Sequence, residues 1–285
     1  MFNTILELTK YRLALSVIFS SVAGYLIAMD YFSIETFLLL FFGGFFLVGA
    51  SNGFNQIIER ERDSIMDRTK NRPIPLGKIS PRSAFIICLI MILSGIVLLY
   101  LINFRTAFFG LISTLIYLFL YTPLKTRTPL CVFFGAISGA IPFMLGWVAA
   151  TNKFGIEPGV LFMIQFFWQF PHFWAIGWLS DDDYKKAGFK MLPTGKKDKS
   201  TAFQIVFYTI WTILVSLIPL SGFSGLLTIS YISGLLIFLA GLFMLSKSIN
   251  LMLYMNNLNA SKLKYASIFY LTFIQIIFVL DKFII

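Results

Sequence analysis

The sequence predicts an all-α, polytopic membrane protein with nine transmembrane helices around a central cavity capped by cytoplasmic loops. Three observations predict it. Of 285 residues, 58% are hydrophobic and only 13% are charged, whereas a soluble domain carries about 25% charged residues. Thirty-three Phe and 13 acids cannot cover a water-facing surface. The apolar runs are continuous and about 20 residues long, which suits a membrane-crossing helix, and they lack the period-two alternation of a barrel strand. Finally, the basic residues collect in alternate connections, as expected of loops retained on the cytoplasmic side.

Taken in order, the spans fall at roughly 11–29, 35–58, 81–102, 106–122, 129–150, 157–179, 201–220, 224–247 and 264–284. The run Leu13–Met29 lacks a small-x-small cleavage site and is the first span, not a signal peptide. With the N-terminus in the cytoplasm, the cytoplasmic connections hold 20 of 23 basic residues, leaving only Arg105, Lys153 and Lys282 opposite. A missed helix would scramble this split, so it supports both the count and an N-in, C-out orientation. The formal charge of +10 then reflects topology and calls for no nucleic acid partner. The expected partner of the surface is the lipid bilayer, and residues 1–285 form one integral-membrane domain. Cys88 and Cys131 sit in apolar stretches and are small core residues with no redox or metal role.

A topology signal needs no acids, yet nine of 13 also fall on the cytoplasmic side. Seven of them concentrate in two places: Glu59, Glu61, Asp63 and Asp67 after the second span, and Asp181, Asp182 and Asp183 after the sixth. Each cluster runs into bases and then a proline, Pro73 or Pro193. The clusters lie about 120 residues and four helices apart, a spacing that points to an internal duplication with two half-sites facing one cavity.

Asn55, Glu59 and Asp63 are spaced i, i+4, i+8, and Asp67 continues the series. On a helix running past the membrane edge they form one stripe. Like charges at this spacing repel, and a divalent cation converts that cost into binding. An all-oxygen set of amide and carboxylates suits Mg²⁺, which takes one or two protein carboxylates plus substrate phosphates. A solvated helix end pairing with Arg60, Arg62 and Arg68 would explain an acidic stripe alone. The adjoining Arg68-Thr69-Lys70-Asn71-Arg72 shifts the balance, because metal plus fixed cations is what a diphosphate needs.

The stretch Asn55-Gln56-Ile57-Ile58-Glu59-Arg60-Glu61-Arg62-Asp63, continued by Met66-Asp67-Arg68-Thr69-Lys70-Asn71-Arg72-Pro73, resembles the first aspartate-rich motif of the UbiA-type intramembrane prenyltransferases. Its ending resembles more narrowly the haem-farnesylating branch, the protoheme IX farnesyltransferases. Tyr121-Thr122-Pro123-Leu124-Lys125 is similar to that family's Tyr-x-x-x-Lys element. Trp168-Gln169-Phe170-Pro171-His172-Phe173, followed by Asp183-Tyr184 and Gly188-x-x-Met191-Leu192-Pro193, is similar to the branch's second motif. His172 is the chain's one histidine. It falls about two turns from the membrane edge, and intramembrane polar groups tend to mark sites.

The resemblance implies farnesyl diphosphate and haem B as substrates, Mg²⁺ as cofactor and a bacterial inner membrane location. It also implies terminal-oxidase assembly proteins as partners. Asn55, Glu59 and Asp63 would hold Mg²⁺, with Asp183 and then Asp182 as further ligands. Arg68, Lys70, Arg72, Lys125 and Tyr121 would bind diphosphate. His172 would orient or ligate the haem, or handle a proton. Two other readings stand beside this one. A UbiA-type enzyme acting on an aromatic quinone precursor would place an Asp-x-x-x-Asp where His172 falls. A transporter or scaffold with lipid-binding basic loops would leave the carboxylate stripe without a purpose.

Overall fold

In the computed structural model, which describes residues 1–284, every regular element is helical. The short α1 (Phe2–Thr9) is followed by α2 (Tyr11–Ala28), α3 (Ile34–Ile58) and the brief α4 (Arg60–Ile65). Next come α5 (Pro81–Ile102) and α6 (Phe104–Leu115), which runs through a π-helical turn over Ile116–Tyr121 into α7 (Thr122–Leu124). The second half holds α8 (Cys131–Thr151), α9 (Ile156–Leu179), the short α10 (Asp181–Lys186), α11 (Lys199–Ser216), α12 (Tyr231–Tyr254) and α13 (Asn257–Ile284).

Nine long segments result among the described residues, as the apolar runs predict. Eight are long and apolar enough to cross a membrane, counting Phe104–Leu124 as one. The ninth, α9, is 24 residues long, but Gln165, Trp168, Gln169 and His172 dilute its hydropathy. These are the residues it turns to the interior. Two boundaries need correction. The span expected at 224–247 begins only at Tyr231, because Gly222 and Gly225 adopt left-handed φ of 77° and 61° and Ser230 caps the helix through Ser233 N–H. The span expected at 264–284 starts earlier, at Asn257, since a helix can extend beyond the bilayer on polar residues.

The helices pack as a ring. α2 lies against α3 and α8; α3 against α5; α5 against α6; α8 against α9; α9 against α11 and α13; and α11 to α13 run in sequence until α13 meets α2. The order α2-α3-α5-α6 is repeated by α8-α9-α11-α12, which accords with a duplicated half. α2 and α8 cross so closely that a Cβ on Gly24 or Gly146 would strike the backbone of the other helix, the small-residue packing membrane helices use. Outward faces are apolar: α5, at mean hydropathy 3.0, has only 17% of its most apolar stretch buried, so it presents Ile90, Val97 and Leu101 to lipid. Hydroxyls within the bundle satisfy themselves on the preceding turn, as Ser51, Thr209 and Ser216 do at 2.7–2.8 Å.

At one end the chain is tied down structurally. Asp281 accepts from the Ser230 N–H and from the Ser230 and Ser233 hydroxyls, and Glu157 accepts from Leu226 N–H at 3.1 Å. The opposite end carries both acidic clusters and most of the basic residues, where α3, α7 and α9 end and α13 begins.

Candidate active site

A cavity of about 620 Å³ runs between α2, α3, α6, α8, α9 and α13, within the ~300–1,000 Å³ usual for small-molecule sites. Its deeper wall is apolar, with Val17, Leu47, Ile141, Leu145 and Leu271 among its residues. The polar groups gather where the acidic clusters lie.

Here the i, i+4, i+8 stripe is realised. α3 breaks gently at Glu59 (φ −93°, ψ 7°), but the Asp63 N–H still donates to the Glu59 carbonyl at 2.8 Å, so Asn55, Glu59 and Asp63 all face the cavity. All three are buried, Asp63 completely. Glu59 pairs with Lys125 at 2.8 Å and Asp63 with Arg72 at 2.6 Å. The Asn55 amide is oriented by a relay: Thr122 Oγ1 donates to the Tyr117 carbonyl at 2.9 Å and so accepts from Asn55 Nδ2 at 3.3 Å. Asn55 Oδ1 is left facing the cavity, where the Lys10 ammonium approaches at 3.5 Å.

The helix stops at Ile65 and Met66 is extended, so Asp67 leaves the stripe that the spacing assigned it. It sits on the outer rim between Lys70 and Lys186, 2.7 Å from each. Those two amines hold its carboxyl down at about 2. Asp183 likewise does not line the cavity. Its carboxylate accepts from the Asp67 and Arg68 N–H groups at 3.2 and 3.0 Å. Burial works to raise its pKa, but these N–H groups and Lys186 outweigh burial and lower it. Asp182 is exposed and Lys70 points outward to Asp67, so neither reaches the site expected of it. Short α10 turns instead Tyr184 inward, and Phe189 follows it. The two acidic clusters do converge, but as a clamp: α10 grips the loop that carries Arg68 and Arg72.

Arg68, Arg72, Tyr121 and Lys125 all line the cavity, as expected of diphosphate contacts. Pro123 has no N–H for the carbonyl one turn back, and the chain widens into the π-helical turn over Ile116–Tyr121, which brings Tyr117 and Tyr121 together at 5.1 Å. A Cβ on Gly135 would lie 2.9 Å from the Tyr121 ring, so that glycine makes room for it. The Lys125 ammonium sits 4.4 Å above the same ring. Burial opposes its charge, yet Glu59 more than compensates and holds Lys125 above the ordinary lysine range.

The facing wall carries His172. Ser267 Oγ lies 2.7 Å from the Lys264 carbonyl, which can only accept, so the hydroxyl proton is committed there. His172 Nδ1, 2.9 Å from the same Oγ, is therefore the donor, and the ring is the Nδ1–H tautomer with a lone pair on Nε2. Trp168 stacks on the ring at 4.6 Å and donates to the Ser267 carbonyl at 2.6 Å. One serine of α13 thus sets both rings of α9. Gln165 lies on the same wall with its buried Oε1 unpaired.

No cluster of three or more His, Cys, Asp or Glu able to hold a metal ion occurs among the described residues. The oxygens present nonetheless fit Mg²⁺ shared with a substrate. Asp63 Oδ1 is buried without any hydrogen-bond partner, Asn55 Oδ1 has only the long Lys10 contact, and Glu59 adds a second carboxylate. Sequence reasoning missed Lys10, Tyr117 and Ser267, which lie outside the acidic motifs and meet the site only through the fold, and it gave no role to Tyr184, which it saw only as the neighbour of Asp183.

A fold with an all-helical bundle, a carboxylate stripe and opposed cations is that of the UbiA prenyltransferase family, whose model matches residues 17–272, and the chain belongs to that family. Within it, the chain is 60% identical to the protoheme IX farnesyltransferase of Christiangramia forsetii, over 98% of this chain and 93% of that one. It is 54% identical to the protoheme IX farnesyltransferase of Flavobacterium psychrophilum, over 99% and 95%. The fold matches a solved structure from work on digeranylgeranylglyceryl phosphate synthase in membranes, with TM-score 0.82, 23% identity and coverage of 99% and 98%. A UbiA homologue from Archaeoglobus fulgidus bound to DMAPP and Mg²⁺ matches with TM-score 0.71, 16% identity and 98% coverage of both chains.

Proposed function

We propose that this protein transfers the farnesyl group of farnesyl diphosphate to a vinyl group of protoheme IX, making haem O, within one domain spanning 1–285. The observation that carries the reading is the pairing, at one end of an apolar cavity, of the Asn55–Glu59–Asp63 stripe with Arg68, Arg72 and Lys125. The relatives' shared name supplies the acceptor. Asn55, Glu59 and Asp63 would hold Mg²⁺, which supplies charge neutralisation of the diphosphate leaving group. Arg72 and Lys125 hold phosphate oxygens, with Arg68 beside them. The apolar wall houses the farnesyl chain and excludes water while the allylic carbon–oxygen bond ionises. Tyr117 and Tyr121 line the cavity beside these cations and supply aromatic rings that would stabilise the allylic cation as it forms.

The acceptor lies against α9 and α13. His172, held as the Nδ1–H tautomer, offers Nε2 to the haem iron or to the water proton released when the alkylated vinyl group is hydrated. Trp168 gives the macrocycle a flat surface. Asp183 acts at one remove, by fixing the Arg68 backbone. The site faces the cytoplasm of a bacterial inner membrane, with the N-terminus inside and the C-terminus outside, which places nearly all Lys and Arg on the retained side. Terminal-oxidase assembly proteins are the expected recipients of the product.

The test is turnover of purified protein in detergent with farnesyl diphosphate, Mg²⁺ and haem B, scored by chromatography for a more apolar haem. Chelation of Mg²⁺ and Asp63→Ala should each abolish product. Prenylation of a phenolic quinone precursor in place of haem would overturn the acceptor assignment.

A further inference from the structure

Lys10 stands apart from every motif. It forms the break between α1 and α2 in a left-handed conformation, φ 48° and ψ 54°, which side-chain-bearing residues rarely adopt. The break aims the side chain into the cavity. Among the described residues no carboxylate lies within ion-pair reach of its ammonium: Glu59 is taken by Lys125 and Asp63 by Arg72, leaving Asn55 Oδ1 at 3.5 Å. An enclosed amine between two other cations, without an anion of its own, costs free energy in the empty protein. Strain and unpaired charge at one residue are retained where a ligand relieves them.

We propose that Lys10 is a further ligand of the diphosphate, facing Arg72 and Lys125 across the anion and supplying hydrogen-bond donors from the α1–α2 break. This rests on the prenyl-diphosphate reading of the same site and extends it to a helix outside the aspartate-rich motifs. One of its three donors reaches Asn55, so two remain for phosphate oxygens. The amine also bars the cavity mouth to cations without a phosphate, since it stands beside the oxygens a metal would use.

The experiment compares wild type, Lys10→Met and Lys10→Arg by calorimetric titration of inorganic pyrophosphate with Mg²⁺ present, and by steady-state kinetics. Lys10→Met should weaken pyrophosphate binding about tenfold or more, the size of a lost charged hydrogen bond. It should raise KM for farnesyl diphosphate but not for haem, and Lys10→Arg should restore most of both. The thermal midpoint of ligand-free Lys10→Met should be no lower than wild type, because an unpaired cation has been removed while the backbone conformation is unchanged. Pyrophosphate binding equal to wild type, a rise confined to the haem KM, or a lower midpoint repaired by arginine would each overturn the role. If wild type turns over haem while Lys10→Met binds pyrophosphate normally, the assignment of Lys10 alone fails. If wild type binds no pyrophosphate, the prenyl-diphosphate reading fails and takes Lys10 with it.

Discussion

Removing Arg72 should damage the protein far more than removing the charge of its partner, Asp63. The two form a 2.6 Å pair in which the Asp63 side chain is fully buried and that of Arg72 is 19% exposed. Asp63 has no second donor, since its other carboxylate oxygen is orphaned. Arg72→Met therefore strands a buried carboxylate, and breaking a buried pair in this way costs about 3–5 kcal/mol. Asp63→Asn strands a guanidinium that can still reach cavity water and keep a hydrogen bond to the amide, at a cost of about 1 kcal/mol. The double variant should recover most of the loss. Equilibrium unfolding in mixed micelles measures all three, and Mg²⁺ should stabilise Arg72→Met more than wild type, because the cation replaces the missing charge. If Arg72→Met were no less stable than Asp63→Asn, the claim that the carboxylate is the desolvated partner would be wrong.

The α10 clamp should open in acid. Asp67, held at about 2 by Lys186 and Lys70, binds its proton more weakly when folded than when unfolded, where a carboxyl titrates near ~4. Its contribution is thus complete above about pH 4 and fades as pH falls toward 2. Pepsin cleavage around Met66 should rise across that window, and Asp67→Asn should be cleaved equally throughout. Asp183→Ala, which deletes the acceptor for Asp67 and Arg68 N–H, should lose amide-exchange protection at those residues and raise KM for farnesyl diphosphate; unchanged exchange would refute the clamp. Gly146→Ala forces a Cβ onto the α2 backbone, and overpacking of this kind costs about 1–3 kcal/mol or more, so the yield of monodisperse protein should collapse. Ser267→Ala should slow haem turnover while leaving pyrophosphate affinity alone, since it frees the His172 ring, leaves Trp168 on the main-chain carbonyl and touches no phosphate-binding group.

The helices, their number and the composition of the acidic stripe were legible in the chain itself. Hydrophobicity long enough to span a bilayer and i, i+4 spacing are local properties; lipid admits only helices and closed barrels, and long unbroken apolar runs select the helix. Asn55, Glu59 and Asp63 point together because i→i−4 hydrogen bonds from Glu59 to Asn55 and from Asp63 to Glu59 carry the helical register across the break between α3 and α4. Tyr121 and Lys125 needed only one further turn. Where local order ended, so did the reading. Asp67 has the right spacing but follows a helix terminus, and Asp183 has the right charge but spends it on two backbone N–H groups of a loop more than a hundred residues away. Lys10 and Ser267 have no motif around them: Lys10 meets Asn55 only because α1 and α2 pack on α3, and Ser267 meets His172 only because α13 packs on α9. Covalent spacing decides which side chains share a helix face; packing between distant helices decides which faces meet, and so which charges find a partner inside the protein and which wait for a ligand.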